Sequence, residues 1–160
     1  MTATDFDPLA LESQVCFALA VASRRVIAEY RPLLEPMGLT HPQYLVMLAL
    51  WQRQPLSVRE LGELLSLEPA TLSPLLKRLE VLSYVRRQRR PRDERTLDVT
   101  LTEAGQALRA QALAIPPALM RRLSMSVEEL QSLHARLSEV IARTAQPAAP
   151  SSPAPDEPLD

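Results

Sequence analysis

The chain has one cysteine, three glycines and an aromatic share of only 4% among its 160 residues, and each scarcity removes a class of protein. A single cysteine forms no intramolecular disulfide and fills no multi-cysteine zinc site. The two histidines, His41 and His134, stand far apart with no HExxH-type spacing, so neither a metal site nor metal catalysis is expected. Three scattered glycines make no phosphate-cradling loop, and no cofactor is expected. No apolar run approaches the ~20 residues of a membrane span. Residues 1–14 carry acids and no basic leader, which argues against a signal peptide. These absences point to a soluble, cytoplasmic protein with no membrane partner. Hydrophobic residues make up 46% of the chain, so Leu, Ala and Val must build most of the core of one lobe with accessory helices.

Residues 56–101 are the informative stretch: LSVRELGELLSLEPATLSPLLKRLEVLSYVRRQRRPRDERTLDVTL. Ser57 followed by Glu60 is a capping box and opens a helix with Leu61, Leu64 and Leu65 on its buried side. Ser66-Leu67-Glu68 has the length of a helix-turn-helix turn. Pro69 suits a first helical position, where no amide bond is lost. Leu72, Leu75, Leu76 and Leu79 then carry the apolar face of a second helix, leaving Ala70, Thr71, Ser73, Lys77 and Arg78 outside it. Small polar residues followed by cations suit a helix that enters a major groove. By local rules Pro74 should end that helix, because it removes a backbone bond.

Between Lys77 and Arg95 eight Lys/Arg face three acids, a balance of +5 inside a chain whose net charge is −1. A local excess in a near-neutral protein marks one face for an anionic partner. Thr96 to Leu101 alternates polar and apolar as a half-buried strand does, and Tyr84-Val85 begins its antiparallel partner. Pro91-Arg92-Asp93-Glu94 is expected to form the turn. A helix pair followed by a basic hairpin implies contact with double-stranded DNA, the arginine-bearing tip reaching phosphates or a minor groove.

Elsewhere helices are expected over 9–34, from Thr40 to about 52, over 102–114 and from Ser126 to about Thr144, the last opened by a Ser126/Glu129 capping box. Pro32 ends or kinks the first. The second should bury Tyr44, Leu45, Met47, Leu48 and Trp51, and the third Leu108 and Leu113. Pro116-Pro117 interrupts the third, with helix resuming within a few residues. Residues 146–160 read as a disordered, proline-rich tail. The architecture expected is a single domain over 9–145, mostly α with a small β-hairpin wing: a winged helix-turn-helix lobe over about 40–101, with dimerisation helices over about 9–34 and 102–144. The terminal helices would leave apolar stripes facing water in a monomer. A two-fold homodimer buries them and sets two reading helices ~34 Å apart, matching a pseudo-palindromic site.

With these residues on the page, the chain resembles the MarR family of dimeric winged-helix transcriptional regulators, and within it the branch that responds to organic hydroperoxides. The resemblance runs from about Leu11 to Ala145. It rests on Val15-Cys16-Phe17-Ala18-Leu19, Tyr30-Arg31-Pro32-Leu33-Leu34, Pro42-Gln43-Tyr44-Leu45-Val46-Met47-Leu48 and Thr71-Leu72-Ser73-Pro74-Leu75-Leu76-Lys77-Arg78-Leu79-Glu80. Asp93-Glu94-Arg95 is similar to the family's wing, and Leu101-Thr102-Glu103-Ala104-Gly105 to the entry of its dimerisation helices. Similar proteins keep a proline at the place of Pro74 in a continuous helix, so the resemblance implies a continuous helix here.

It also implies a set of DNA contacts. Thr71, Ser73, Lys77 and Arg78 are the major-groove candidates, and Arg92 and Arg95 the wing candidates. Ser57 is expected to touch the DNA backbone while capping its helix, and Asp93 to orient an arginine. Arg90, where the branch often has an acid, is expected to add phosphate binding or to change how Arg95 is held.

Local sequence makes Cys16 a small buried hydrophobe, since Glu12 and Ala20, one turn away, supply no positive charge. The resemblance implies a redox sensor instead: an organic hydroperoxide oxidises the thiol, and with no second cysteine in the chain a small thiol or further oxidation completes the change and releases the operator. Tyr30 matches a tyrosine that hydrogen-bonds the partner subunit's sulfur in such proteins. His41 stands where another tyrosine is common, and Ala20 replaces a frequently aromatic neighbour. Local sequence makes His41 an exposed histidine near a helix start; in the sensing role that the resemblance implies it is a donor or, when protonated, a stabiliser of the thiolate. Two other readings stay open: a repressor of this fold released by a small apolar or phenolic ligand, and a thiol peroxidase that uses Cys16 as nucleophile. The second would leave the reading helix and wing without a purpose, so the chain is expected not to be an enzyme.

Overall fold

A computed structural model describes residues 7–91 and 93–145. The wing candidate Arg92 and the tail expected over 146–160 lie outside the described residues. The chain divides into two compact units, one ending at Leu123 and the other beginning at Ser124.

In the first unit a 3-10 turn at Leu11–Ser13 precedes α1 (Val15–Leu34). The helix therefore begins later than residue 9. Gln14 is extended, and its side-chain amide donates to the Pro8 and Ala10 carbonyls, folding the chain back before the helix starts. Pro32 lies in the last turn of α1, which continues to Leu34. A second 3-10 turn, Glu35–Met37, ends at Gly38, whose φ of 67° is left-handed and costs glycine no Cβ clash. α2 (His41–Gln52) starts where the Thr40 amide donates to Gln43 Oε1 at 2.9 Å. Tyr44, Val46, Met47 and Leu50 are fully buried along it, whereas Leu45, Leu48 and Trp51 are half-buried. This central helix is covered on more than one side, which a single stripe in the sequence does not convey.

A two-residue strand, β1 (Leu56–Ser57), leads into α3 (Val58–Leu65), and the αL residue Ser66 turns the chain into α4 (Pro69–Val81). The capping box forms as the sequence predicts: Ser57 Oγ accepts from the Glu60 amide at 3.1 Å, and Glu60 Oε2 accepts from the Ser57 amide at 2.7 Å. Leu61 is sealed and Leu65 half-buried, but Leu64 is 54% exposed because α3 packs over a narrower arc than its apolar stripe covers. α4 runs unbroken through Pro74, which sits on the exposed side; Leu72, Leu76 and Leu79 are sealed beneath.

β2 (Val85–Arg90) and β3 (Asp93–Leu101) form the hairpin, and β1 adds to the far edge of β3, giving an antiparallel sheet of order β1-β3-β2. The turn is tighter than expected, since Asp93 and Glu94 already belong to β3. α5 (Glu103–Ala112) is capped by Thr102, whose Oγ1 accepts from the Gly105 amide at 3.0 Å. Leu108 points inward, but Leu113 lies just past the helix end and is exposed. α6 (Ile115–Leu123) resumes at once, with Pro116 and Pro117 in its first turn, where amide donors are not needed.

The second unit is α7 (Val127–Ala145), opened by the expected Ser126/Glu129 capping box. None of its residues is buried, and Val127, Leu133, Val140 and Ile141 stay exposed. No helix among the described residues is long and apolar enough to cross a membrane.

Candidate functional site

Because Leu72, Leu76 and Leu79 anchor one side of α4 in the core, its other side is fixed outward. Thr71, Ser73, Lys77 and Arg78 are all exposed on that side. From Thr71 to Arg78 the helix rises only ~10 Å, so these groups form one compact surface. A cleft of about 1080 Å³ opens between the helix pair and the wing, and Ser73 and Arg95 both line it. The structure thus brings a reading-helix candidate and a wing candidate to the same opening.

The wing's charge is sorted into two groups. Arg87 is committed to Glu80 on α4: its Nε and Nη2 donate to Glu80 Oε2 at 2.9 and 2.6 Å, and its amide donates to Oε1 at 3.1 Å. Arg90 is committed to Asp98 through two parallel bonds, Nε to Oδ2 at 3.0 Å and Nη2 to Oδ1 at 2.7 Å. Among the described residues Lys77, Arg78, Arg86, Arg89 and Arg95 have no ion-pair partner, so they carry the excess charge open to an anion. Arg86 and Arg89 are exposed wing cations that the sequence marked only as part of a charge run.

Three of the expected residues hold partners within the chain. Ser57 is largely buried at the edge of the cleft, and its hydroxyl accepts from the Glu60 amide as the cap of α3. Asp93 holds Arg95 through its backbone: Oδ1 accepts from the Arg95 amide at 3.1 Å, and Oδ2 accepts from Thr96 Oγ1 at 2.6 Å. Those two donors keep the Asp93 carboxyl below the usual range. Arg90 is forked on Asp98, with its side chain still 42% exposed beside the cleft.

The Glu80–Arg87 contact gives a pH prediction. The Arg87 guanidinium, bonded to Glu80, holds that carboxyl below its ordinary value of 4.5. A carboxylate depressed on folding contributes stability above the unfolded value and loses it as pH falls through the folded one. Melting temperatures taken from about pH 6 down to about pH 3 should fall, and Glu80→Gln should flatten part of that fall while lowering stability near neutrality. An unchanged pH slope in the variant would show that the pair adds nothing to the hold of wing on helix.

Cys16 is the second residue of α1 and is exposed in the single chain, not buried as local sequence suggested. Its first-turn position leaves amides without helical carbonyl partners nearby, since the first bond back is Ala18 to Gln14. Tyr30 lies fourteen residues further along the same helix, ~21 Å away, so one chain does not bring the two together. Tyr30 and His41 do meet, with ring centroids 4.8 Å apart, and Tyr44 lies 5.9 Å from Tyr30. Burial pushes the phenols of Tyr30 and Tyr44 up, so both stay O–H donors. Burial pushes the His41 imidazole below its ordinary 6.5, which disfavours the protonated role expected of it.

The MarR family profile matches residues 39–97. The chain is 40% identical over 132 residues to the organic hydroperoxide resistance transcriptional regulator of Bacillus subtilis, covering 82% of this chain and 90% of that protein. Its structure is similar to that of reduced AbfR bound to DNA, a protein of Staphylococcus epidermidis (TM-score 0.69, 32% identity, 85% of this chain and 95% of that one). It is equally similar to the overoxidized, DNA-bound form of AbfR (TM-score 0.68, 33% identity, 84% and 94%).

Proposed function

This chain belongs to the MarR family, and from that premise we propose that it is a DNA-binding repressor that leaves its operator when an organic hydroperoxide oxidises Cys16. The observation that carries the DNA half is one cleft lined by both Ser73 of the anchored helix and Arg95 of the wing, with Thr71, Lys77 and Arg78 exposed on the same helix. Uncommitted cations supply affinity through phosphates, and the polar side chains of the helix read base edges.

The homodimer is part of the same proposal. Val15, Phe17, Leu19 and Ile27 on α1 are exposed, as is the apolar stripe of α7. Each is a surface that water does not favour and a second copy would cover. A partner's α1 and α2 would also bring a Tyr30 and a His41 to each Cys16, which one chain does not do.

The chemistry needs only a thiol and two reactants. The sulfur of Cys16 attacks the outer oxygen of the hydroperoxide, the O–O bond breaks, and sulfenic acid and an alcohol form. A small thiol then displaces water from the sulfenic acid and leaves a mixed disulfide. The names and states of the two relatives above support this reading, as does the exposure of Cys16 in the first turn of α1.

Arg95→Ala tests the wing. It should weaken binding of an operator-length duplex by ~1–3 kcal/mol at low salt and lower the salt slope by about one. Affinity and slope equal to wild type, measured by fluorescence anisotropy, would take the wing out of the mechanism.

A further inference from the structure

We infer that Arg90 is a positioning residue of the DNA interface, one that aims Arg95 and does not itself bind phosphate; the inference rests on the DNA-binding role proposed for the wing. Its guanidinium forms a fork on Asp98, a carboxylate of the middle strand whose side chain is only 13% exposed. The same Nη2 stands 4.0 Å from Glu60 Oε2, the oxygen that caps α3 through the Ser57 amide. Ser57 in turn is the register partner of Asp98 across β1 and β3. One guanidinium therefore ties the base of the wing to the cap of the first helix of the pair.

The other end of the connection is the hairpin's irregularity. Along β2 the register runs Arg89 to Leu97 and then jumps, Arg90 to Asp93, leaving residues 94–96 of β3 without partners. A bulge of this kind re-aims the side chains it carries, and Arg95 is on it. Asp93, opposite Arg90, clasps the bulge through the Arg95 amide and Thr96 Oγ1. Arg90 thus meets the irregularity twice: its guanidinium holds Asp98 just below the register jump, and its backbone stands opposite Asp93, whose carboxylate clasps the Arg95 amide. A guanidinium so placed spends Nε and Nη2 on the Asp98 carboxylate.

The test is a double-mutant cycle on one duplex of about 25 base pairs, enough for two half-sites, selected from a random pool on the wild-type protein. Arg90→Gln should weaken binding by roughly 3- to 30-fold, yet by less than about 2-fold once Arg95→Ala is already present, because the two act in series. Arg90→Lys keeps the charge but not the planar fork, and should behave like the glutamine variant. If Arg90→Gln fails to fold with Asp98 left unpaired, the cycle is run in Asp98→Asn, which removes that carboxylate. Additive losses, with a further drop of about one in the salt slope, would make Arg90 a phosphate contact and overturn the inference. A lowered melting temperature with unchanged affinity would overturn it too, leaving Arg90 purely structural. If Arg95→Ala alone changes nothing, the wing reading itself falls, and Arg90 has nothing to aim.

Discussion

Cys16→Ser protein should bind its duplex as tightly as wild type and remain bound after stoichiometric organic hydroperoxide and a small thiol, conditions that release wild type. The expected effect is a complete loss of response, because the chain has one cysteine and therefore one thiol to oxidise. Serine keeps the size and a hydrogen-bonding oxygen but forms no sulfenic acid or disulfide. The basal affinity should survive, since Cys16 lies on α1 and the proposed DNA surface is on α4 and the wing. Mass spectrometry on the same samples separates the outcomes: wild type should gain the mass of the small thiol as it dissociates. If both proteins stay bound while the mass shows wild-type oxidation, the redox reading fails. A small apolar or phenolic inducer that releases both proteins would then make the ligand-controlled repressor the better account, with Cys16 incidental.

What the sequence disclosed depended on how local each feature's cause is. The capping boxes at Ser57/Glu60 and Ser126/Glu129 are contained within four residues, and each forms where the sequence places it. The turn of the helix pair and the first-turn Pro69 are equally local. Pro74 was different: local rules break α4 there, and only resemblance kept it whole. Features set by distant partners were not legible. β1 is two residues long, too short to show a period, and exists because β3 has a free edge. Leu64 and Leu113 carry the apolar character of core residues but sit where no neighbour covers them. The commitment of Arg87 to Glu80 and of Arg90 to Asp98 separates two of the eight basic residues from those open to DNA, and no spacing in the sequence announces it. Cys16 shows the reverse: local sequence makes it buried, but the single chain covers none of the helix from Val15 to Ala20.

Gly105→Ala should be among the most destabilising single substitutions in the chain, by ~3 kcal/mol or more, although alanine is the better helix former. Gly105 is the third residue of α5, so its backbone is helical and needs no special freedom. The requirement is space. A Cβ there would stand 2.0 Å from the Tyr84 carbonyl oxygen and 2.9 Å from its carbon, both backbone atoms that no side-chain rotation moves away. Neither segment is free to yield. The Tyr84 oxygen accepts from the Thr102 amide at 3.0 Å, Thr102 caps Gly105, and the Gly105 carbonyl accepts from Trp51 Nε1 at 2.9 Å. Relieving the overlap must lengthen at least one of these bonds or lift α5 from the hairpin base. The helix-propensity gain of alanine, about 1 kcal/mol at most, does not offset that. In thermal melts at one fixed protein concentration, the variant should unfold about 6–12 °C below wild type. Gly62→Ala is the comparison, because its Cβ meets one backbone oxygen at 2.9 Å and otherwise only the end of Leu72, so its loss should be smaller. A Gly105→Ala protein that melts within a degree or two of wild type would mean that α5 does not dock on the wing this closely.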